Sequence, residues 1–318
     1  MKNLTPLGIR ATLRMKAPAL DFVLPGLTAG SVGTIVGAGG IGKTMLLIQL
    51  GMALATGSPA FGNPLIPCGS PGRVVLLAAE ESADILSIRL HAIMKWLDLE
   101  RAKHTSSLPL ADTGADSDFM ALLDTNLMLV PAAGESVLLV EHGVTTPFLD
   151  VLSRFCAGAR LIIIDPLRRL HDGDENSSAA MTHIVQVLED LAKRTGAAVI
   201  VAHHVGKASM FNETTGSAAA SRGSSALTDS VRWQVNLSAM SEKAASFHGF
   251  SDQKKSYACL DFSKSNYMAP QEAIWFRRLD GGVLAHTHLK GKQADTRRNS
   301  PDTKSHGVRA LKERNSDW

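Results

Sequence analysis

The segment GAGGIGKT, Gly37 to Thr44, constrains this chain more than any other part of its 318 residues. It fits the pattern G-x-x-x-x-G-K-[ST]. It stands between an apolar run, SVGTIVG (31–37), and a helix-forming run, KTMLLIQLGMALATG (43–57). A glycine-rich turn from strand to helix presents backbone N–H groups to an anion, and the helix N-terminus adds a favourable dipole. The expectation is a phosphate cradle. Gly37, Gly39, Gly40 and Gly42 shape the loop, Lys43 reaches the β- and γ-phosphates of a nucleotide, and the Thr44 hydroxyl ligates Mg²⁺.

The surrounding pattern says what carries the cradle. Continuous apolar runs (GRVVLLAAEES at 72–82, NLMLV at 126–130, RLIIID at 160–165, AAVIVAHH at 197–204) alternate with helical patterns at 83–97, 146–159 and 178–195. Strands buried on both faces and separated by helices predict an α/β fold with a mainly parallel central sheet flanked by helices. Shorter strand-like runs, VRWQVNLS, YACLDFSKSN, AIWFRRLD and GVLAHT, predict antiparallel hairpin strands added at one edge. Residues 103–118 and 205–223 are polar or rich in small residues and are expected to be loops. The organisation expected is an N-terminal arm (1–20), a nucleotide-binding core (21–288) and a disordered basic tail (289–318).

Composition excludes more than it selects. Three widely spaced cysteines suggest neither a disulfide framework nor a thiolate zinc site. No run approaches the roughly 18 apolar residues of a membrane span, and no signal peptide is evident, so no membrane partner and a cytoplasmic location are expected. A net charge of +3 is compatible with nucleic acid without arguing for it.

A nucleotide hydrolase needs a carboxylate for Mg²⁺ and a base for water. Asp165 closes an apolar strand and suits the first role. Pro166 occupies the next position, where many such ATPases keep a glutamate. Glu80 and Glu81 stand at the carboxyl end of another strand, on the side of an open α/β sheet where ligands bind. Glu80 is the preferred base, and Glu81 reads better as an acidic start to the following helix. His203 and His204 end a further strand. Adjacent strand residues face opposite ways, which argues against a two-histidine metal site and leaves either of them as a candidate γ-phosphate sensor. Ala38 stands where partition-type ATPases carry an extra lysine, which sets the chain apart from them.

A base borrowed from a neighbouring strand is the RecA-type arrangement. Several further segments (LDFVLPGLTAGSVG, AAEES with RLHA, DPLRRLH with ENSS, HHVGKA, SRGSSALTDSVRW, SKSNY and WFRRLDGGVL) make the chain resemble the plasmid RepA-type hexameric replicative helicases, within the RecA-fold, DnaB-like superfamily. The resemblance runs from about Leu20 to about Leu284. It implies a RecA-like P-loop NTPase core, ATP and Mg²⁺ as cofactors, and a homo-hexamer with ATP sites at the subunit junctions. It also implies His204, more than His203, as the γ-phosphate sensor, and an arginine finger from the neighbour at Arg232, with Arg222 as the runner-up. Arg89 would lie close to the nucleotide, and Lys264 would approach the neighbour's. Single-stranded DNA would pass through a central channel lined by loops 168–178 and 205–223. Movement would be 5′-to-3′, in plasmid or phage-type replication, with initiator and primase supplied as separate proteins. The rival reading is a RecA-fold ATPase that acts as a regulatory or assembly switch, with a partner at residues 103–118.

Overall fold

The computed structural model describes residues 5–62, 65, 71–104, 114–204 and 225–289. Helix α1 (Ile9–Arg14) lies in the N-terminal arm and buries none of its residues. The ribbon of β1 (Phe22–Leu24) and β2 (Leu27–Thr28) leads into β3 (Val32–Gly37), every residue of which is buried. Helix α2 (Lys43–Thr56) starts directly after Gly42, whose φ of 104° is a conformation that side chains disfavour. It is buried almost all round, which marks it as the central helix of the domain.

The chain continues through β4 (Val74–Ala78), α3 (Ala83–His104), α4 (Gly114–Asn126), β5 (Leu127–Pro131), a small ribbon of β6 (Val140–Glu141) and β7 (Val144–Thr145), and α5 (Phe148–Phe155). Then come β8 (Leu161–Asp165), α6 (Ser178–Thr195) and β9 (Ala198–His204). Ser177 caps α6 by accepting from the Ala180 N–H, and Gly196 ends it at positive φ. The last part holds α7 (Ser225–Ser230), β10 (Trp233–Ala239), α8 (Glu242–His248), β11 (Tyr257–Ser265), β12 (Ile274–Arg278) and β13 (Leu284–Thr287).

Nine strands form one sheet in the order β13-β12-β11-β10-β3-β9-β8-β4-β5. From β10 to β5 all neighbours are parallel, and β11, β12 and β13 extend the sheet antiparallel. The period-two alternation explains the unbroken apolar runs. Val74, Leu76, Leu161, Ile163, Ala198 and Ile200 face the layer that contains α2 and α3. Val75, Leu77, Ile162, Ile164, Val199 and Val201 face the layer that contains α5 and α6. Each strand is therefore apolar on both sides because a helix covers both.

Two expectations change. The segment expected to be a surface loop at 103–118 is helical at both described ends, because α3 runs on to His104 and α4 begins at Gly114; residues 105–113 lie outside the described residues. VRWQVNLS is not an edge hairpin: β10 joins the parallel sheet beside β3, and the antiparallel strands start at β11. Alternation within that run was legible, but its neighbour is fixed by packing, with Trp233 buried against Gly33. The ribbons β1–β2 and β6–β7 and helix α8 have too few residues for a periodic signal. Loop 205–223, Arg222 within it, and the tail beyond Leu289 lie outside the described residues.

Candidate nucleotide site

Parallel strands bring their carboxyl ends to one edge, so residues far apart in sequence meet there. Gly37 pairs with His204 across β3 and β9, and Ala78 pairs with Asp165 across β4 and β8. The loop from Gly37 to Lys43 sits over this edge. Gly40, at φ 72°, and Gly42 turn it back onto α2.

Lys43 is 95% withdrawn from solvent, and its ammonium has three neighbours. It donates to the carbonyls of Gly37 at 2.7 Å and Ala38 at 2.9 Å, and lies 3.0 Å from His204 Nδ1. Burial pushes its pKa down to about 8, opposed by attraction to Asp165 and Glu80. His204 is lowered too, by burial and then by the Lys43 charge. An unprotonated Nδ1 that accepts from Lys43 fits that direction.

The Thr44 hydroxyl donates to Asp165 Oδ2 at 2.5 Å. Burial raises the pKa of Asp165, while the Thr44 hydrogen bond and the Lys43 and His204 charges pull it back. A hydroxyl and a carboxylate oxygen in direct contact beside a phosphate loop are a hard-oxygen donor pair of the kind Mg²⁺ takes, together with phosphate oxygens and water. The donor set fits the metal.

Glu80 follows the end of β4, half exposed, and its Oε1 accepts from Arg169 Nε at 3.1 Å. The neighbouring Glu81 is engaged elsewhere, in an ion pair with Arg89 of α3. His203 points to the opposite side of β9 from His204. It is 5% exposed, and its pKa is pushed down to about 4, first by burial and then by the charges of His204, Lys43 and His171.

Lys43, Thr44, Asp165, Glu80 and His204 are thus brought together, with Arg89 one carboxylate away. Arg232 and Lys264 are not. Arg232 is exposed just before β10, and because Trp233 pairs with Gly33, it lies at the far end of β3. Five residues of strand, roughly 17 Å, separate that level from Gly37. Lys264 pairs with Gln234 and donates to the carbonyls of Thr228 and Asp229 at the end of α7. Within one subunit neither reaches the loop.

Two arginines at the site were missed in these positions by sequence reasoning. Arg169, assigned to a DNA loop, contacts Glu80. Arg278, on β12, donates to the Gly40 carbonyl at 3.4 Å. No local signal marks either contact, since 89 and 238 residues separate the partners.

A family model described as an AAA domain matches residues 9–210, well over half of the chain. Among solved structures, the ATPase domain of G40P is similar over 81% of this chain and 85% of its own, with a TM-score of 0.54 and 15% identity. A DnaB-like replicative helicase, described together with its interactions with primase, is similar over 80% of this chain and 58% of its own, with a TM-score of 0.56 and 13% identity. At such identity these likenesses bear on the fold, which is RecA-like: a mainly parallel sheet between helices, with antiparallel strands at its C-terminal edge. No described helix is long and apolar enough to cross a membrane. The family match takes in the phosphate loop, Glu80, Asp165 and both histidines, and the chain belongs to the AAA domain family, as an NTPase on the RecA-like fold.

Proposed function

We propose that this protein is an ATP-dependent hexameric DNA helicase that couples ATP hydrolysis at subunit interfaces to 5′-to-3′ movement on single-stranded DNA. The setting would be plasmid or phage-type replication, as the resemblance to RepA-type helicases implies. The observation that carries the reading is the convergence of Lys43, Thr44, Asp165, Glu80 and His204 at one edge of the sheet, within a core proposed to span residues 21–288.

In the reaction, Lys43 exchanges its loop carbonyls for phosphate oxygens and neutralises part of the polyphosphate charge. Thr44 and Asp165 would hold Mg²⁺, which when bound supplies charge neutralisation at the β- and γ-phosphates. Glu80 takes a proton from the attacking water and orients its lone pair toward the γ-phosphorus. His204, neutral with its proton on Nε2, donates from that nitrogen to the γ-phosphate once Lys43 has turned to the nucleotide. Arg232 of a neighbouring copy, with Arg222 as the alternative, stabilises the charge that develops during transfer. Its distance from the loop of its own subunit is consistent with action on the next one. Arg89 and, across the interface, Lys264 complete the nucleotide's surroundings.

Two observations support coupling to a strand and to other copies. Arg169, in the 168–178 loop proposed to meet DNA, holds Glu80 directly, so an anion that draws Arg169 away changes the base's surroundings. The N-terminal arm exposes Leu7, Ile9, Leu13 and Met15, each at least 66% accessible, an apolar stretch that fits the surface of a neighbouring copy. Primase, named with one DnaB-like neighbour, and an initiator are expected to be separate partners.

The test is ATP hydrolysis by the full chain with and without circular single-stranded DNA, with Lys43→Ala as the blank. Several-fold stimulation supports the helicase reading and leads to unwinding of forked substrates. Hydrolysis indifferent to DNA removes that reading in favour of an ATPase switch.

A further inference from the structure

Arg278 has no task in the reaction just described, yet it stands at the phosphate loop. Its guanidinium is half-buried, and Nη1 reaches the Gly40 carbonyl at 3.4 Å, a long contact with a neutral acceptor. Arg89, Arg160, Arg169 and Arg194 each meet a carboxylate. Among the described residues Arg278 meets none, and burial alone moves its pKa, downward. A cation partly stripped of water with no counter-charge is costly, and proteins keep such groups where an anion arrives.

The placement is also rigid. Arg278 pairs with Leu284 across β12 and β13. The Leu284 N–H and C=O are both held at 3.0 Å by the side chain of Gln49, in the middle of α2. A Cβ on Gly42 would lie 3.3 Å from Leu284 Cδ1, so this glycine lets the hairpin close onto the loop. Strand, hairpin and P-loop helix are thereby clamped together, with the guanidinium beside the loop's turn. A group meant only to brace Gly40 needs no charge, whereas a phosphate ligand does.

We propose that Arg278 is a nucleotide ligand in cis: its guanidinium leaves the Gly40 carbonyl and binds the polyphosphate of a nucleoside di- or triphosphate seated in its own subunit's loop. This rests on the reading of Gly37 to Thr44 as a nucleotide cradle, and it needs neither DNA nor hydrolysis. Planar, bidentate donation suits phosphate oxygens, and an arginine stays charged despite the burial.

The experiment measures binding of a ribose-labelled fluorescent ADP with Mg²⁺ by anisotropy, on the full chain without DNA, for wild type, Arg278→Gln, Arg278→Lys and Lys43→Ala. Each variant's nucleotide-free melting midpoint is recorded alongside. Gln keeps an N–H for the Gly40 carbonyl and removes the charge. The expected result is affinity weakened about tenfold in Arg278→Gln, with the nucleotide-free midpoint unchanged and a shallower salt dependence. Arg278→Lys should recover part of the loss, because charge returns without the bidentate fork. Wild-type affinity in Arg278→Gln, alongside weak binding in Lys43→Ala, overturns the proposal and leaves the cradle standing. Weakened binding with a midpoint lowered by several degrees assigns Arg278 to bracing the loop and overturns it as well. If Lys43→Ala binds like wild type, or wild type does not bind, the cradle reading itself fails.

Discussion

Lys43 gives the sharpest quantitative expectation. In the nucleotide-free protein its ammonium titrates at about 8 rather than 10.5, because burial outweighs the attraction of Asp165 and Glu80. A polyphosphate placed beside it adds negative charge and raises that pKa again, back to the ordinary value or above. The nucleotide thus prefers the protonated protein. Affinity is complete below the free-state pKa and is lost as pH rises through it, by up to tenfold per unit, until the bound-state pKa is reached. With the free group at about 8 and the bound group at about 10.5, affinity should fall about fourfold by pH 8.5 and about thirtyfold by pH 9.5, the second equal to about 2 kcal/mol. The assay is anisotropy of labelled ADP with Mg²⁺ from pH 7 to 9.5 at fixed ionic strength, with circular dichroism to verify folding at each pH. Three other shifted groups lie outside this window: burial pushes the Cys156 and Cys259 thiols up to about 11 and about 12, and His203 down to about 4. A flat profile to pH 9.5 would refute the argument, because it would mean that Lys43 either is not desolvated in the free protein or does not meet phosphate.

Glu80→Gln should lower the rate of phosphate release by about 100-fold or more while ADP binding stays intact, and a surviving rate would remove Glu80 as the base. Arg169→Ala frees Glu80 from an ion pair in which both side chains are about half exposed. Such pairs are worth roughly 0.2–1 kcal/mol, so DNA-independent hydrolysis should change by no more than about fivefold, and a larger change would give Arg169 a direct role. Gly33→Ala forces a methyl to within 2.6 Å of the buried Trp233 ring, and urea unfolding should report a loss of about 1–3 kcal/mol; an unchanged midpoint would show that the tryptophan can yield.

The parts of this molecule legible in its sequence are those whose physics is local. A phosphate loop is eight consecutive residues with few permitted alternatives, and strands buried on both faces announce themselves as unbroken apolar runs. The shared location of Asp165 and Glu80 was readable because each stands where such a run ends, and in a parallel sheet all those ends share an edge. Opposite facing of His203 and His204 follows from strand geometry alone, and the structure has one buried away from the loop and the other 3.0 Å from Lys43. Partners that act through long-range packing were not legible. Nothing near Gln49 announces that its amide will clamp Leu284, 235 residues on. Nothing in DPLRRLH says that the second arginine will turn back to Glu80 rather than outward.

That difference has a mechanical consequence. In the proposed reaction the motif residues supply the groups that meet phosphate and water, while the long-range contacts decide what else moves when they do. Glu80 is tied to the segment after β8 through Arg169, and the phosphate loop is tied to the C-terminal hairpin through Gln49, Leu284 and Arg278. A nucleotide that draws Lys43 off the Gly37 and Ala38 carbonyls would act on the loop that Arg278 contacts and on the charge that faces Glu80, and so on both connections from one site. The two run to different edges of the sheet, toward β4 on one side and β12 on the other. An NTPase whose task was hydrolysis alone would need neither, and the pair gives the proposed helicase two routes by which the state of its nucleotide reaches the surfaces where a strand or a neighbouring copy would bind.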